Sequence, residues 1–385
     1  MEELLAEIEE WNETRLSNDL QEIVKIASVS GEEQQLAHYL HERFTTLGLQ
    51  SEIDRHGNVI ARLIGDHPGP RIVLNSHMDT VGYGNGWTYD PLGAEIKDGR
   101  LYGRGSCDCK ASIVTHILAA EQLVGRTQEL HGELIITHVV EEEVQNKARK
   151  GTFKLLEDGF EADMAVNGEA IDMNIGLACG GMVELAVTTY GKRAHGSTPK
   201  EGVNAITNMF ALASELLKLE PGYHPYTGEG SIVLGVIEGG ERSSVVPDEC
   251  RLKVSRFIVP GEKGEDFLAD VEHIIEERKR QDASFQAKVE MTYVSKPALT
   301  DKNEPIVQGL TKAMETLGLP VTYSGTPQHN DADYLVNKGG IPTVIYGPGR
   351  IRLGHVPDEY VDLSEVVTAA KVLTLALYQV LTRSV

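Results

Sequence analysis

N-S-H-M-D-T-V (Asn75–Val81), W-T-Y-D-P (Trp87–Pro91) and G-R-G-S-C-D-C-K (Gly103–Lys110) follow one another closely in a chain of 385 residues. The first places an imidazole, His77, just after the apolar run Ile72-Val73-Leu74, with the carboxylate of Asp79 two residues on. The third sets Asp108 in a glycine-bearing turn, and a helical pattern runs from Ala111 to Leu123. A first-row metal site is assembled from such parts: a ligand at a strand end, an orienting acid beside it and a further ligand on a loop.

Working outward, residues 18–48 read as two helices broken at Ser28–Gly31, the second over Glu32–Leu47. Strand-like runs follow at Ser51–Ile53, Val59–Leu63 and Ile72–Leu74. Another spans Glu133–Val140 and ends in Glu141-Glu142-Glu143. A helix over Gly151–Leu156 and a strand over Ala162–Val166 lead to Glu169. Strands alternating with helices, with polar residues at strand ends, describe an open α/β sheet that binds ligands at its carboxyl edge. After Gly180-Gly181 the order becomes β-α-β-β-α-β: strands at 183–190, 232–237, 252–257 and 287–294, helices at 204–219 and 267–280. That order suggests an inserted α+β domain of ferredoxin-like type. From Pro297 the α/β pattern resumes, with helices over Ile306–Leu317 and Glu365–Leu381 around a strand at Thr343–Tyr346. The expected layout is an α/β mixed-sheet domain, residues 1–180 and 296–385, interrupted by a second domain at 181–295.

Composition narrows the function. A formal charge of −22 argues against nucleic acid or an anionic membrane as partner. Mean hydropathy is −0.22, and no run is expected to reach the roughly 18 apolar residues that a membrane span needs. The acidic opening M-E-E-L-L-A-E-I-E-E is the opposite of a basic signal peptide. Four scattered cysteines make no disulfide framework, so a reducing cytoplasm is expected. Cys107 and Cys109 flank Asp108; an extended turn would put both opposite its carboxylate, as small packing residues. A metal-binding C-x-C pair is the alternative.

Zinc-type ions take imidazole nitrogens and carboxylate oxygens, and two such ions can share one bridging carboxylate. Five residues at strand ends or in glycine-bearing loops make such a set: His77, Asp108, Glu143, Glu169 and His355. Singly each is a weak signal, since a lone histidine or glutamate is more often a solvated or packing residue.

Together these segments resemble the co-catalytic metallopeptidase and deacylase family that contains succinyl-diaminopimelate desuccinylase, acetylornithine deacetylase, aminoacylase and glutamate carboxypeptidase. The likeness runs in order along nearly the whole chain. It is carried by H-M-D-T-V, W-T-Y-D-P, G-R-G-S-C-D-C-K, E-E-E, G-K-R-A-H-G-S-T-P-K-E-G-V-N-A-I, and G-P-G followed by H-V-P-D-E-Y-V. The resemblance implies a fold of phosphorylase/hydrolase-like type with a lid and dimerisation insert. It implies two divalent metal ions, zinc foremost, with cobalt and manganese as alternatives. His77 and Glu169 would hold one ion, Glu143 and His355 the other, and Asp108 would bridge them.

On the same resemblance Asp79 would hydrogen-bond the far nitrogen of His77, Glu142 would be the general base, and His195 on the lid would stabilise the oxyanion. Counting from Gly132 puts base and ligand at Glu142 and Glu143; a shift to Glu141 and Glu142 is the alternative. Arg256 is either a grip for a substrate carboxylate or a structural ion pair, and Asn204 either contacts substrate or caps the lid helix. Ser244 stands where the family often has asparagine, and Asp331 lies in G-T-P-Q-H-N-D-A-D where a glycine-threonine-aspartate signature is common. Both departures fall where relatives contact substrate. The expected activity is hydrolysis of an N-acyl amino acid or, alternatively, of a short peptide, by a cytoplasmic homodimer.

Overall fold

The computed structural model describes residues 1–144 and 150–382. The chain divides into two compact units, one of Met1–Ala178, Leu299–Thr326 and Asn330–Val385, the other of Cys179–Ala298 and Pro327–His329.

In the first unit the strand His67–His77 lies between His131–Val139 and Met164–Asn167, parallel to both. Thr343–Ile345 extends the parallel part beyond Met164–Asn167. Val59–Ile64 and Gln50–Ile53 continue the other side antiparallel, so the sheet is mixed. Its central strands are covered on both faces, which is why Ile72–Leu74 and Leu134–Ile136 read as unbroken apolar runs. Because the parallel strands share a direction, His77, the Glu141–Glu143 run and Glu169 all emerge at one edge.

Helix Ala111–Val124 packs on Leu363–Leu381, which also packs on Pro305–Thr316. The helix Leu363–Leu381 is long and apolar enough to cross a membrane by length and composition, yet Glu365, Lys371 and Gln379 interrupt it, so it is no unbroken apolar run. It has 19 residues and mean hydropathy 1.3, with 78% of its apolar window buried within the protein. Its apolarity serves the core, with Val366, Ala370, Leu373 and Leu377 fully or almost fully enclosed.

A three-stranded ribbon in the same unit was not foreseen. Tyr360–Asp362 pairs with Arg100–Tyr102, which pairs with Glu95–Lys97. Strands of three residues carry no readable period, and their pairing spans some 260 residues of chain. The ribbon nevertheless brings the segment after His355 against the Asp108 turn.

The second unit has the strand order Ser231–Gly239, Glu249–Ile258, Gly181–Tyr190, Gln286–Ser295, every neighbour antiparallel. Helices Ala205–Leu216 and Gly264–Gln281 contribute Met209, Leu212, Phe267 and Val271 to a core shared with Val183, Leu185, Val187, Leu252 and Val254. The alternating burial along Glu249–Ile258 is the period-two pattern of a sheet with one covered face.

Two histidines lie inside the first unit with no charge partner among the described residues. The rings of His116 and His138 stack 5.6 Å apart at 9°, and both are fully buried. Among the described residues neither nitrogen of His116, nor Nε2 of His138, has a hydrogen-bond partner. Burial pushes His116 down to about 3, and His138 well below its ordinary value with His116 adding to the effect. Both are neutral when folded, whereas the unfolded chain takes up protons near pH 6.5. Their contribution is therefore present above pH 6.5 and lost as the pH falls toward the folded values. Stability should drop by about 1 kcal/mol per histidine between pH 7 and 5.5. Urea unfolding at the two pH values measures it, and His116→Leu should remove about half of the loss; an unchanged pH difference in that variant refutes the assignment.

Candidate metal centre

His77 ends its strand with 1% of its surface exposed. Its Nε2 lies 3.2 Å from Asp108 Oδ1 and 3.8 Å from Glu169 Oε1. The other Asp108 oxygen lies 3.3 Å from His355 Nε2, and that nitrogen lies 2.7 Å from Glu143 Oε1. Two groups of donors therefore share Asp108: His77, Asp108, Cys109 and Glu169 in one, Asp108, Glu143 and His355 in the other, with all ligand atoms of each group within 4.8 Å of one another. All of these residues belong to the first unit.

Asp108 sits in the turn Ser106–Lys110, entered through Gly105 in a left-handed conformation. The Asp108–Cys109 peptide is cis. His355 has a φ of 65°, and a Cβ on its neighbour Gly354 would come within 2.7 Å of Asp108 Oδ2, so glycine there permits the close approach of this loop to Asp108.

The electrostatics describe a site short of positive charge. The Glu142 and Glu169 carboxyls are pushed well up, first by burial; His77 opposes this, while other nearby acids add to it. Burial alone would lower His77, yet its acidic surroundings, Glu169, Asp108 and Asp79 among them, raise it well above the ordinary value. Hydrogen bonds to Asp108 and Glu143 raise His355 to about 10. A proton on His355 thus does between two carboxylates what a cation would do. Imidazole nitrogen and carboxylate oxygen in this density are donors suited to divalent zinc-type ions.

Asp79 holds more than the histidine. The His77 Nδ1 is 2.8 Å from the backbone carbonyl oxygen of Asp79, whereas the Asp79 carboxylate is 3.6 Å away. The hydrogen bond expected from the carboxylate is thus made by the carbonyl, because 3.6 Å exceeds bonding range. The carboxylate instead accepts the N–H groups of Glu142 and Glu143 at 3.0 and 3.1 Å and the Ser30 hydroxyl at 2.7 Å. Glu141, with φ 53°, turns the chain, and its side chain pairs with Lys150 at 2.5 Å. Its N–H is accepted by the buried Glu33 at 3.1 Å. In the run of three glutamates it is Glu143 that meets Asp108 and His355.

Glu359 was not singled out from the sequence. Its fully buried carboxylate accepts the N–H of Cys107 at 2.9 Å and of Asp108 at 3.0 Å, and pairs with Arg104 at 2.6 Å. Its neighbour Asp358 accepts the N–H groups of Thr88 and Tyr89 at 2.7 and 3.2 Å. A few residues after His355 therefore tie together the W-T-Y-D-P and G-R-G-S-C-D-C-K segments. The only sequence signal was the D-E pair in H-V-P-D-E-Y, which gives no partner.

Asp331 is 3% exposed, and its Oδ2 accepts from Asn75 at 3.1 Å and Thr152 at 2.8 Å. Its carboxylate thus supports the strand ends from within. The remaining candidates lie in the second unit. His195 is exposed, and its Nδ1 accepts the Ser197 N–H at 3.1 Å, which leaves the neutral ring's proton on Nε2. The Gly196 N–H is accepted by the Ser244 carbonyl at 2.8 Å, so that position borders the His195 loop. Asn204 caps helix Ala205–Leu216, its Oδ1 accepting from Thr207 N–H at 3.1 Å. Arg256 is 8% exposed and paired with Glu262 at 2.6 Å. Asn204 is thus a helix cap and Arg256 an ion-pair partner.

Comparison with known proteins yields a family model, peptidase family M20/M25/M40, that matches residues 73–379. The acetylornithine deacetylase of Myxococcus xanthus is 29% identical over 363 residues, covering 89% of this chain and 91% of that protein. The structure of the aminopeptidase PepT from Bacillus cereus superposes with a TM-score of 0.80 at 24% identity, covering 96% of this chain and 99% of that one. That of Bacillus subtilis YXEP, described as a dinuclear metal-binding peptidase, does so at 0.75 and 17% identity, covering 96% and 98%.

Truncating Glu359 tests its hold on the Asp108 turn. Glu359→Ala strands the Arg104 guanidinium in the interior and should lower the unfolding free energy by about 3 to 5 kcal/mol. Glu359→Gln keeps an acceptor for the two N–H groups and should recover part of that loss. Urea unfolding of both variants decides, and an alanine variant as stable as the parent would show that the contact is dispensable.

Proposed function

The chain belongs to peptidase family M20/M25/M40 and is a hydrolase of amide or peptide bonds, and we propose that it removes the acyl group from an N-acylated amino acid. The reading rests on one observation: two donor clusters share Asp108, with Glu142 held beside them by the same Asp79 carboxylate that positions Glu143. His77 and Glu169 would hold one divalent ion and Glu143 and His355 the second, with Asp108 between them. Zinc is the proposed metal, with cobalt or manganese as substitutes. When bound, such a pair supplies Lewis acidity toward water and toward the carbonyl oxygen of the scissile amide.

The chain's own groups carry the protons. Glu142 accepts a proton from the attacking water at its carboxylate and passes it to the departing amine nitrogen. A raised carboxyl suits that exchange, since the group must release the proton as readily as it takes it. Asp79 fixes the backbone from which Glu142 projects. His195, with its ring proton on Nε2, is the proposed donor to the oxyanion of the tetrahedral adduct. The insert at 181–295 is proposed as the lid and as the dimer contact, and the cytoplasm as the compartment.

A peptidase acting on a di- or tripeptide is the second reading, favoured by the close superposition on an aminopeptidase. A panel of acetylated, succinylated and formylated amino acids beside short peptides, assayed after loading with zinc, separates the two. Preferred turnover of the acylated amino acids is expected; peptides alone as substrates would overturn the deacylase reading. Glu142→Ala should retain both ions and lose about 10²- to 10⁴-fold in kcat. Metal analysis together with initial rates checks this, and undiminished kcat would remove Glu142 from the reaction.

A further inference from the structure

Asp79 does not hold the acidic run alone. Where the strand His131–Val139 ends, the backbone leaves the sheet, and the N–H groups of four successive residues are each accepted by a buried side chain. Val140 donates to Asn58 Oδ1 at 3.1 Å and Glu141 to Glu33 Oε1 at 3.1 Å. Glu142 and Glu143 donate to the two Asp79 oxygens at 3.0 and 3.1 Å.

Glu33 stands at the N-cap of helix Gln34–Thr46, yet its carboxylate makes no capping bond to that helix. One of its oxygens instead accepts both the Gly31 N–H at 2.9 Å and the Glu141 N–H. The residue is 3% exposed, and enclosing a carboxylate is costly unless hydrogen bonds compensate. Its loop is braced against the segment that follows His77. The Ser28 carbonyl accepts the Thr80 N–H at 2.9 Å, the Thr80 carbonyl accepts the Ser30 N–H at 3.1 Å, and the Ser28 hydroxyl donates to the Met78 carbonyl at 2.8 Å. The Ser30 hydroxyl binds the Asp79 carboxylate itself. Glu33 and Asp79 therefore belong to one braced frame that grips the run Glu141–Glu143 at consecutive N–H groups.

Glu141 is the residue of that run with a φ of 53°, a left-handed conformation that disfavours any residue bearing a Cβ. A fixed acceptor for its N–H holds the turn in place, and the two residues after the turn move with it.

We propose that Glu33 is a positioning residue for the hydrolysis: by fixing the Glu141 N–H it sets the direction in which Glu142 and Glu143 project. The proposal rests on the two-metal reading above. Glu33 adds no donor to either cluster, so it takes no coordination position from water or substrate. Its partners are two neutral N–H groups on a single oxygen, so the reach of that oxygen matters more than the charge. Glutamine has the same reach without the charge; aspartate keeps the charge and withdraws the acceptor by one methylene.

The test compares the full-length parent with Glu33→Gln and Glu33→Asp. Zinc is titrated into chelator-treated protein by calorimetry, and initial rates are taken on the substrate that the acyl-amino-acid and peptide panel selects. The parent should take up two zinc ions, and Glu33→Gln should match it in both measurements. Glu33→Asp should lose about 10-fold in kcat at unchanged KM, and one of its two zinc steps should weaken about 10-fold while the other holds. In the metal-free protein the Glu141 amide should be protected from hydrogen exchange in the parent and Glu33→Gln and unprotected in Glu33→Asp. Should Glu33→Asp fail to fold by circular dichroism, Glu33→Gln decides: parental kcat with both zinc steps supports the role, and a folded glutamine variant that loses either overturns it. An aspartate variant equal to the parent, one more active than the glutamine variant, or one in which both zinc steps weaken together overturns the role of Glu33 and leaves the two-metal reading standing. A parent that takes up fewer than two zinc ions overturns that reading and this proposal with it.

Discussion

Carboxylates crowded at one edge of a sheet, out of water, are the constraint around which this molecule is organised. Asp79, Asp108, Glu142, Glu143, Glu169 and Glu359 lie in or directly beneath one region. Against them the described residues there set the imidazoles of His77 and His355 and the guanidinium of Arg104. Like charges at such separations repel strongly in a low dielectric. Divalent cations would offset that repulsion, and the donors form two clusters that could hold them.

Two of the buried carboxylates act on the backbone. Asp79 accepts the N–H groups of Glu142 and Glu143, and Glu359 accepts those of Cys107 and Asp108. In each case a buried acid satisfies two N–H groups of an irregular segment that carries a side chain of the candidate site. Irregular backbone at a buried site would otherwise leave those donors unpaired, at a cost of about 1 to 3 kcal/mol each. The same bonds that satisfy the loop therefore set the geometry of the candidate donors.

Much of the fold was legible because its periods are strong. Gly181–Tyr190 alternates on a one-sided sheet, Ala111–Val124 and Leu363–Leu381 are long apolar helices, and the buried runs before His77 and Glu141 have no other reading in an α/β chain. Membership of a peptidase family was legible for a related reason: the H-x-D, acidic-run and C-terminal histidine segments occur in order. What escaped was short or distant. The ribbon joining Arg100–Tyr102 to Tyr360–Asp362 has three residues a strand, and Glu359 had no local partner to betray it. The side of the Asp108 turn on which each cysteine falls depends on backbone angles that composition does not record.

The chain alone therefore determined the family and its hydrolytic chemistry, because the histidine- and carboxylate-bearing segments occur together and in order. Tertiary structure alone decided how those groups divide. It put Asp108 between two clusters, turned Glu141 toward Lys150 and Glu143 toward His355, and set Cys109 beside His77. The physical reason is that distances between the candidate donors are set by contacts between segments up to some 250 residues apart in sequence. Those contacts exist only when strands, turns and buried carboxylates have come together.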